Sequence, residues 1–306
     1  KTTALYDRLI AKGALMGQEF GLEHALWFAN NADDAHEVPT FERNRSHDYV
    51  AGEVAAVQHH VGGVEIANFA KHEFKGAGAR SYLDHMLAGV VPRAGRLTLT
   101  PMLTPKGKLY GDLTVACLAD DHFMLFGSGA MQEAHRRWFE KQLPDDVSYA
   151  NVSDEWHGIA LSGPRSRALL ADLMRDDIAS MRFRDSKETF VAGVPVMINR
   201  ISFSGELGYE IYCRPPYLIR LAKAIETAGA DYGYRWYGER ALMSMRLEKG
   251  WGAWGLEFRP DFDVHESNMD IFINWKKDFV GKSWHQFQAL VFYVICGKTI
   301  KQINPN

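Results

Sequence analysis

The chain is 306 residues long, with 46% hydrophobic and 24% charged residues. That is too much for one small core and suits about two domains at the usual ~150 residues each. A formal net charge of −3 gives no global attraction to nucleic acid or an anionic membrane, so any anionic ligand must be held by local Arg or Lys. Cys117, Cys213 and Cys296 form neither a CxxC pair nor a disulfide framework, as expected of a reducing compartment. The longest apolar run, Ala289 to Ile295, is far short of the ~20 residues of a membrane helix.

Residues 1–44 open with a short helical stretch, Leu5 to Ala11, and continue through Phe20–Phe28 into a polar link around Asp33, Asp34 and Pro39. They have little core of their own and read as a connector. The chain starts at Lys1 with no secretory signal, which suggests a piece of something longer. From Ser46 the pattern becomes dense. Val50, Val54 and Val57 mark one helix, and Tyr82, Leu83, Met86 and Leu87 mark another. Strand-like runs follow at Arg96–Leu103, Lys108–Leu118 and His122–Gly127, and then a helix from Ala134 that Pro144 closes. A second cycle repeats this rhythm without residue-level similarity. It has a strand at 158–162, a helix at 164–174, strands at 191–204 and 208–213, and a helix at 216–228. A last helix, Glu239 to Lys249, stops at Gly250. The pattern predicts an α+β fold, two α/β modules with mainly antiparallel sheets and a boundary near residue 150. Residues 283–306 carry no clear period and form an atypical tail.

The usual catalytic motifs are absent. No phosphate loop, HExxH or GxSxG occurs. His59 and His60 are adjacent on a helix, so they diverge and form no i,i+4 metal pair, and no metal site is expected. The GxG fragments at 76–78 and 127–129 do not complete a dinucleotide fingerprint, so a Rossmann site for FAD or NAD is not expected. What remains is polar residues in unusual places. In "MLTPKGKLYGDLTV" (Met102–Val115), Asp112 sits mid-strand on the less apolar face, with Tyr110 and Thr114. In "ISFSGELGYEIYC" (Ile201–Cys213), Glu210 shares a face with Tyr212. Arg240 opens a helix in "GERALMSMRLEKG", where a positive charge opposes the helix dipole. Taken singly, each is more economically read as a solvated strand carboxylate or a snorkelling Arg.

Together these segments resemble the signature blocks of the folate-binding aminomethyltransferase family of the glycine-cleavage T-protein type. Within it they are most similar to the folate domain of dimethylglycine and sarcosine dehydrogenases. "RLEKGWGAWGLEF" (Arg246–Phe258), "ANFAKHEF" (Ala67–Phe74) and "LSGPRSRALL" (Leu161–Leu170) extend the likeness in the same order, from about Ser46 to Lys282. "LYDRL" and "ALWFA" within residues 1–30 resemble the link that follows a flavin oxidase domain. The resemblance implies a central tetrahydrofolate pocket, with Asp112 facing the reacting nitrogens as general base. It implies Glu210 hydrogen-bonding the pterin, Arg240 meeting polar or acidic parts of folate, and Phe203 and Trp254 in the wall. Phe203 stands where relatives commonly have Tyr, so the stacking face is kept and a hydroxyl contact is lost.

The implied function is capture of the methylene unit released by oxidative demethylation of a dimethylglycine- or sarcosine-type amine, giving methylenetetrahydrofolate. FAD would sit on a missing or separate domain or subunit. The alternatives are a non-catalytic regulatory or scaffolding member and a flavin-independent folate-dependent demethylase. The compartment implied is a bacterial cytoplasm or the mitochondrial matrix. The C-terminal barrel expected after "DFVGK" (Asp278–Lys282) is not recognisable in the sequence that follows.

Overall fold

The computed structural model describes residues 1–285. The apolar run at 289–295, Cys296 and residues 286–306 of the expected tail lie outside the described residues. Among the described residues, no helix is long and apolar enough to cross a membrane.

Two sheets form the body. One runs in the order β5–β6–β7–β4–β8, from β4 (Ala70–Lys75), β5 (Arg96–Leu103), β6 (Leu109–Ala119), β7 (His122–Gly127) and β8 (Ser148–Asn151). The other runs β10–β11–β12–β9–β3–β13. Its strands are β3 (Val61–Glu65), β9 (His157–Ser162), β10 (Ser186–Val191), β11 (Val194–Asn199), β12 (Gly208–Cys213) and β13 (Tyr234–Trp236). All ladders are antiparallel except β3 with β13. None of the described sheets closes into a barrel. The α+β reading with mainly antiparallel sheets therefore holds.

Burial follows the alternation. Along β6, Leu109, Gly111, Leu113, Val115 and Cys117 are buried, whereas Tyr110, Asp112 and Thr114 are half-buried. The first face packs under α3 (Ala79–Met86) and α4 (Gln132–Glu140), with Phe74, Leu83, Met86 and Phe139 in one cluster. The second sheet is covered by α5 (Ser166–Leu173) and α6 (Leu218–Gly229), where Leu169, Leu170, Leu221 and Ile225 meet Ile211 and Ile198. A third cluster lies between the sheets. There Leu97, Met124 and Phe126 of one sheet meet Val64, Met197 and Tyr212 of the other, with α2 (Ser46–His59) and α7 (Glu239–Glu248) alongside. The architecture is thus helices, sheet, sheet, helices.

Residues 1–30 are more integrated than a connector pattern suggests. After α1 (Tyr6–Ala11) they form a hairpin, β1 (Ala14–Glu19) with β2 (Leu22–Phe28). Leu5, Leu9 and Phe28 join the cluster on the second sheet. The buried Glu53 carboxylate accepts from the Phe28 amide at 2.6 Å and the Gly238 amide at 2.8 Å, tying the hairpin to the start of α7. Strand β3 reads poorly as a strand because of Gly62 and Gly63. Both are glycine for lack of room: a Cβ on Gly62 would meet the Tyr237 ring at 2.7 Å, and one on Gly63 the Tyr234 hydroxyl at 2.1 Å.

Candidate functional site

Where the inter-sheet core opens, the molecule holds a cavity of about 680 Å³, within the ~300–1,000 Å³ usual for small-molecule sites. Leu99, Asp112, Thr114 and Phe126 line it from the first sheet, and Glu210 and Tyr212 from the second. The Phe126 and Tyr212 rings stack 4.7 Å apart where the two sheets meet. Phe203, from the β11–β12 connection, and Trp254, from the loop after α7, also line it, beside Trp251. Four of the five residues singled out from sequence therefore meet in one space.

The two carboxylates differ in surroundings. Asp112 stands opposite Pro101 of β5 and has no side-chain hydrogen-bond partner among the described residues. Burial raises its carboxyl to about 7, opposed only by its own backbone amide. Glu210 is also raised to about 7 by burial, but it accepts the Tyr212 hydroxyl at 3.0 Å and feels the Lys249 and Lys71 charges. Apolar walls with two such acceptors suit a flat ligand that presents N–H donors.

Arg240 departs from its expected place, and it does not line the cavity. It sits in the first turn of α7, and its guanidinium bonds the Ser46 hydroxyl at 2.8 Å and Glu37 at 2.6 Å. Its work is to fasten the N-terminal segment to α2 and α7. Its neighbour Glu239 and, on the same turn, Leu242 reach the cavity wall instead.

Other lining residues carried no local signal. Lys249 gives its ammonium to the Ser202 carbonyl at 2.6 Å and lies 5.8 Å from the Trp251 ring centre. The tryptophan loop is held by buried Arg246, which bonds the Trp251 carbonyl at 3.0 Å and Glu257 at 2.8 Å, while Glu257 accepts from the Ala253 amide at 3.0 Å. Only the fold reveals this bracket, because Arg246 reads as an ordinary helical surface charge.

Comparison with known proteins decides the family. The family described as the GCVT N-terminal domain matches residues 5–277. The chain belongs to that family. The GCVT match takes in the N-terminal hairpin as well as the body. Among relatives, mitochondrial dimethylglycine dehydrogenase of Homo sapiens is 34% identical over 290 residues, 92% of this chain and 33% of that protein. The chain thus spans about a third of the length of the dimethylglycine dehydrogenases it matches. An aminomethyltransferase of Chloroherpeton thalassium is 28% identical over 270 residues, 85% of this chain and 75% of that protein. The GCVT fold is also seen in the glycine cleavage system aminomethyltransferase T of Bartonella henselae. That structure superposes with a TM-score of 0.80 at 22% identity, covering 95% of this chain and 75% of the other.

Proposed function

We propose that the cavity binds tetrahydrofolate and that this GCVT chain transfers a one-carbon unit at the aminomethyl level. The observation that carries this reading is the convergence of Asp112 and Glu210, from different sheets, on one largely apolar cavity of about 680 Å³. Both carboxyls are raised to about 7. The residues present fit the ligand: Glu210 offers oriented acceptor oxygens to an aminopyrimidine edge, and Phe203, Trp251 and Trp254 offer ring faces. Tetrahydrofolate, when bound, supplies the nitrogen that takes up the carbon.

The chain's own contribution follows from the geometry. Asp112, with no side-chain partner, is free to accept a proton from a bound amine, and a carboxyl near 7 is matched to proton transfer at neutral pH. Glu210, held by Tyr212, fixes orientation. The aromatic walls exclude the water that would otherwise hydrolyse an iminium to free amine and formaldehyde. The donor we favour is an oxidised dimethylglycine- or sarcosine-type amine, because dimethylglycine dehydrogenases match 92% of this chain at 33–34% identity. Oxidation of that amine would be the task of an FAD-bearing domain or subunit outside this chain, in a mitochondrial matrix or bacterial cytoplasm.

The test is a titration of the chain with tetrahydrofolate followed by fluorescence, with Trp251 and Trp254 as reporters in the wall. Saturable quenching that weakens in Glu210→Ala is expected. No saturation at millimolar tetrahydrofolate would remove the proposal.

A further inference from the structure

A second polar cluster lies behind the cavity wall and takes no part in the chemistry above. Glu19 at the end of β1, His24 in β2 and Glu239 in the first turn of α7 bring one carboxylate oxygen, one imidazole nitrogen and one carboxylate oxygen within 4.8 Å of one another. His24 is only 8% exposed, and its Nε2 is hydrogen-bonded to Glu239 while its buried Nδ1 has no partner. Beside the cluster is a small void of about 30 Å³, lined by His24, Glu65, Asn68 and Glu239 together with apolar side chains, with Glu19 outside its lining. A void of roughly 10–15 Å³ already holds one water, so there is room for an ion. The buried Oε1 of Glu65 is also unpartnered.

Charge makes the arrangement costly as it stands. Three carboxylates, Glu19, Glu65 and Glu239, surround one imidazole, and none has a Lys or Arg ion pair among the described residues. Lys71, which acts on Glu65 through space, directs its ammonium to the carbonyls of Ala67 at 3.1 Å and Phe69 at 2.8 Å instead. Asn68 offers Glu19 only a long contact of 3.4 Å. A half-buried set of like charges calls for a compensating cation.

We propose that Glu19, His24 and Glu239 form a site for one first-row divalent cation of the Zn²⁺ type, with Glu65 as the outlying carboxylate. One imidazole with carboxylates is a donor set such ions accept, at about 2.0–2.2 Å from each ligand atom. Donors sharing an ion at those distances stand no more than about 4.4 Å apart, close to the present spread of up to 4.8 Å, and the hydrogen-bonded His24–Glu239 pair opens to admit the ion between them. Binding replaces the proton shared by His24 and Glu239 and releases it to solvent. The ion would pin the β1–β2 hairpin to α7 and so brace the wall that Glu19 and Glu239 present to the cavity.

The test uses the whole chain after chelator treatment. Co²⁺ is titrated in as a visible-absorbing probe, and thermal unfolding is then followed with Zn²⁺. One Co²⁺ per chain should bind, be displaced by Zn²⁺, and raise the unfolding temperature. Losing a second-shell partner alone costs ~10–100-fold in affinity, so His24→Gln should weaken Co²⁺ binding by at least about tenfold. Glu19→Gln, at the hairpin tip, should do the same and carries the test if the His24 variant does not fold. Absence of saturable Co²⁺ binding at millimolar metal would overturn the site. So would equal affinity in wild type and the folded variants, which would leave an imidazolium between carboxylates.

Discussion

Strand β4 through helix α4 and strand β9 through helix α6 follow one plan. Each is a strand, a helix, a three-strand meander whose last strand pairs with the first strand, and a closing helix. Each delivers one carboxylate to the shared cavity, Asp112 from the middle strand of its meander and Glu210 from the last. The sheets diverge at one edge: β8 pairs with β4, whereas β3 intervenes between β9 and β13. Burial raises both carboxyls to about 7, yet Glu210 is held by Tyr212 while Asp112 is held by no side chain. Similar scaffolds thus yield a carboxylate with no side-chain partner on one wall and one held by a tyrosine hydroxyl on the other.

That contrast breaks most easily at Asp112. Asp112→Asn should lower single-turnover one-carbon transfer by ~10²–10⁴-fold, the usual contribution of a general base, with tetrahydrofolate affinity little changed. Glu210→Gln should do the opposite. It should weaken binding by about 10–100-fold, the ~1.5–3 kcal/mol of a charge-assisted hydrogen bond, with a smaller change in the transfer rate at saturation. Tyr212→Phe removes only the orienting hydroxyl at 3.0 Å and should cost up to about tenfold in affinity, ~0.5–1.5 kcal/mol. If Tyr212→Phe affected transfer as strongly as Asp112→Asn, the two walls would not have separate roles.

Stability should reveal the same pair. Unfolded, these carboxyls titrate near 3.8 and 4.5, and folded near 7, so between those values the native chain holds more protons than the unfolded one. Their contribution is therefore most favourable below about pH 4 and declines as pH rises through about 7. Asp112→Asn and Glu210→Gln should each unfold at a higher temperature than wild type at about pH 8, with the gain fading towards pH 4. The smallest effect belongs to Arg240→Ala. Its contacts with Glu37 and Ser46 are partly exposed, so a loss of about 1 kcal/mol is expected in denaturant unfolding, with tetrahydrofolate affinity unchanged.

Much of this organisation was legible in the chain. Alternation placed Asp112 on the half-buried face of β6 and Glu210 beside Tyr212 on β12, and the turn at Thr104–Gly107 marked the β5–β6 hairpin that carries Asp112. Alternation could not say whether those faces met solvent or another sheet, because that depends on packing between strands about a hundred residues apart. Strand β3 was illegible because its glycines answer to the Tyr234 and Tyr237 rings rather than to strand propensity. The β1–β2 hairpin looked like a link because its buried side chains complete a core on the second sheet instead of making one. Arg240 was misplaced by its company: it adjoins a residue that reaches the wall, while its own side chain turns to Glu37. The Glu19–His24–Glu239 cluster has no sequence signature at all, since Glu239 lies 215 residues from His24.

The division of labour between the two walls is tested most directly by the pH dependence of single-turnover transfer at saturating tetrahydrofolate, in wild type and Asp112→Asn. The wild-type rate should rise with pH to a plateau, with a midpoint near the raised Asp112 value of about 7, and the variant should show a low, flat profile. A wild-type rate independent of pH across that range, or a variant that keeps both rate and profile, would contradict this division.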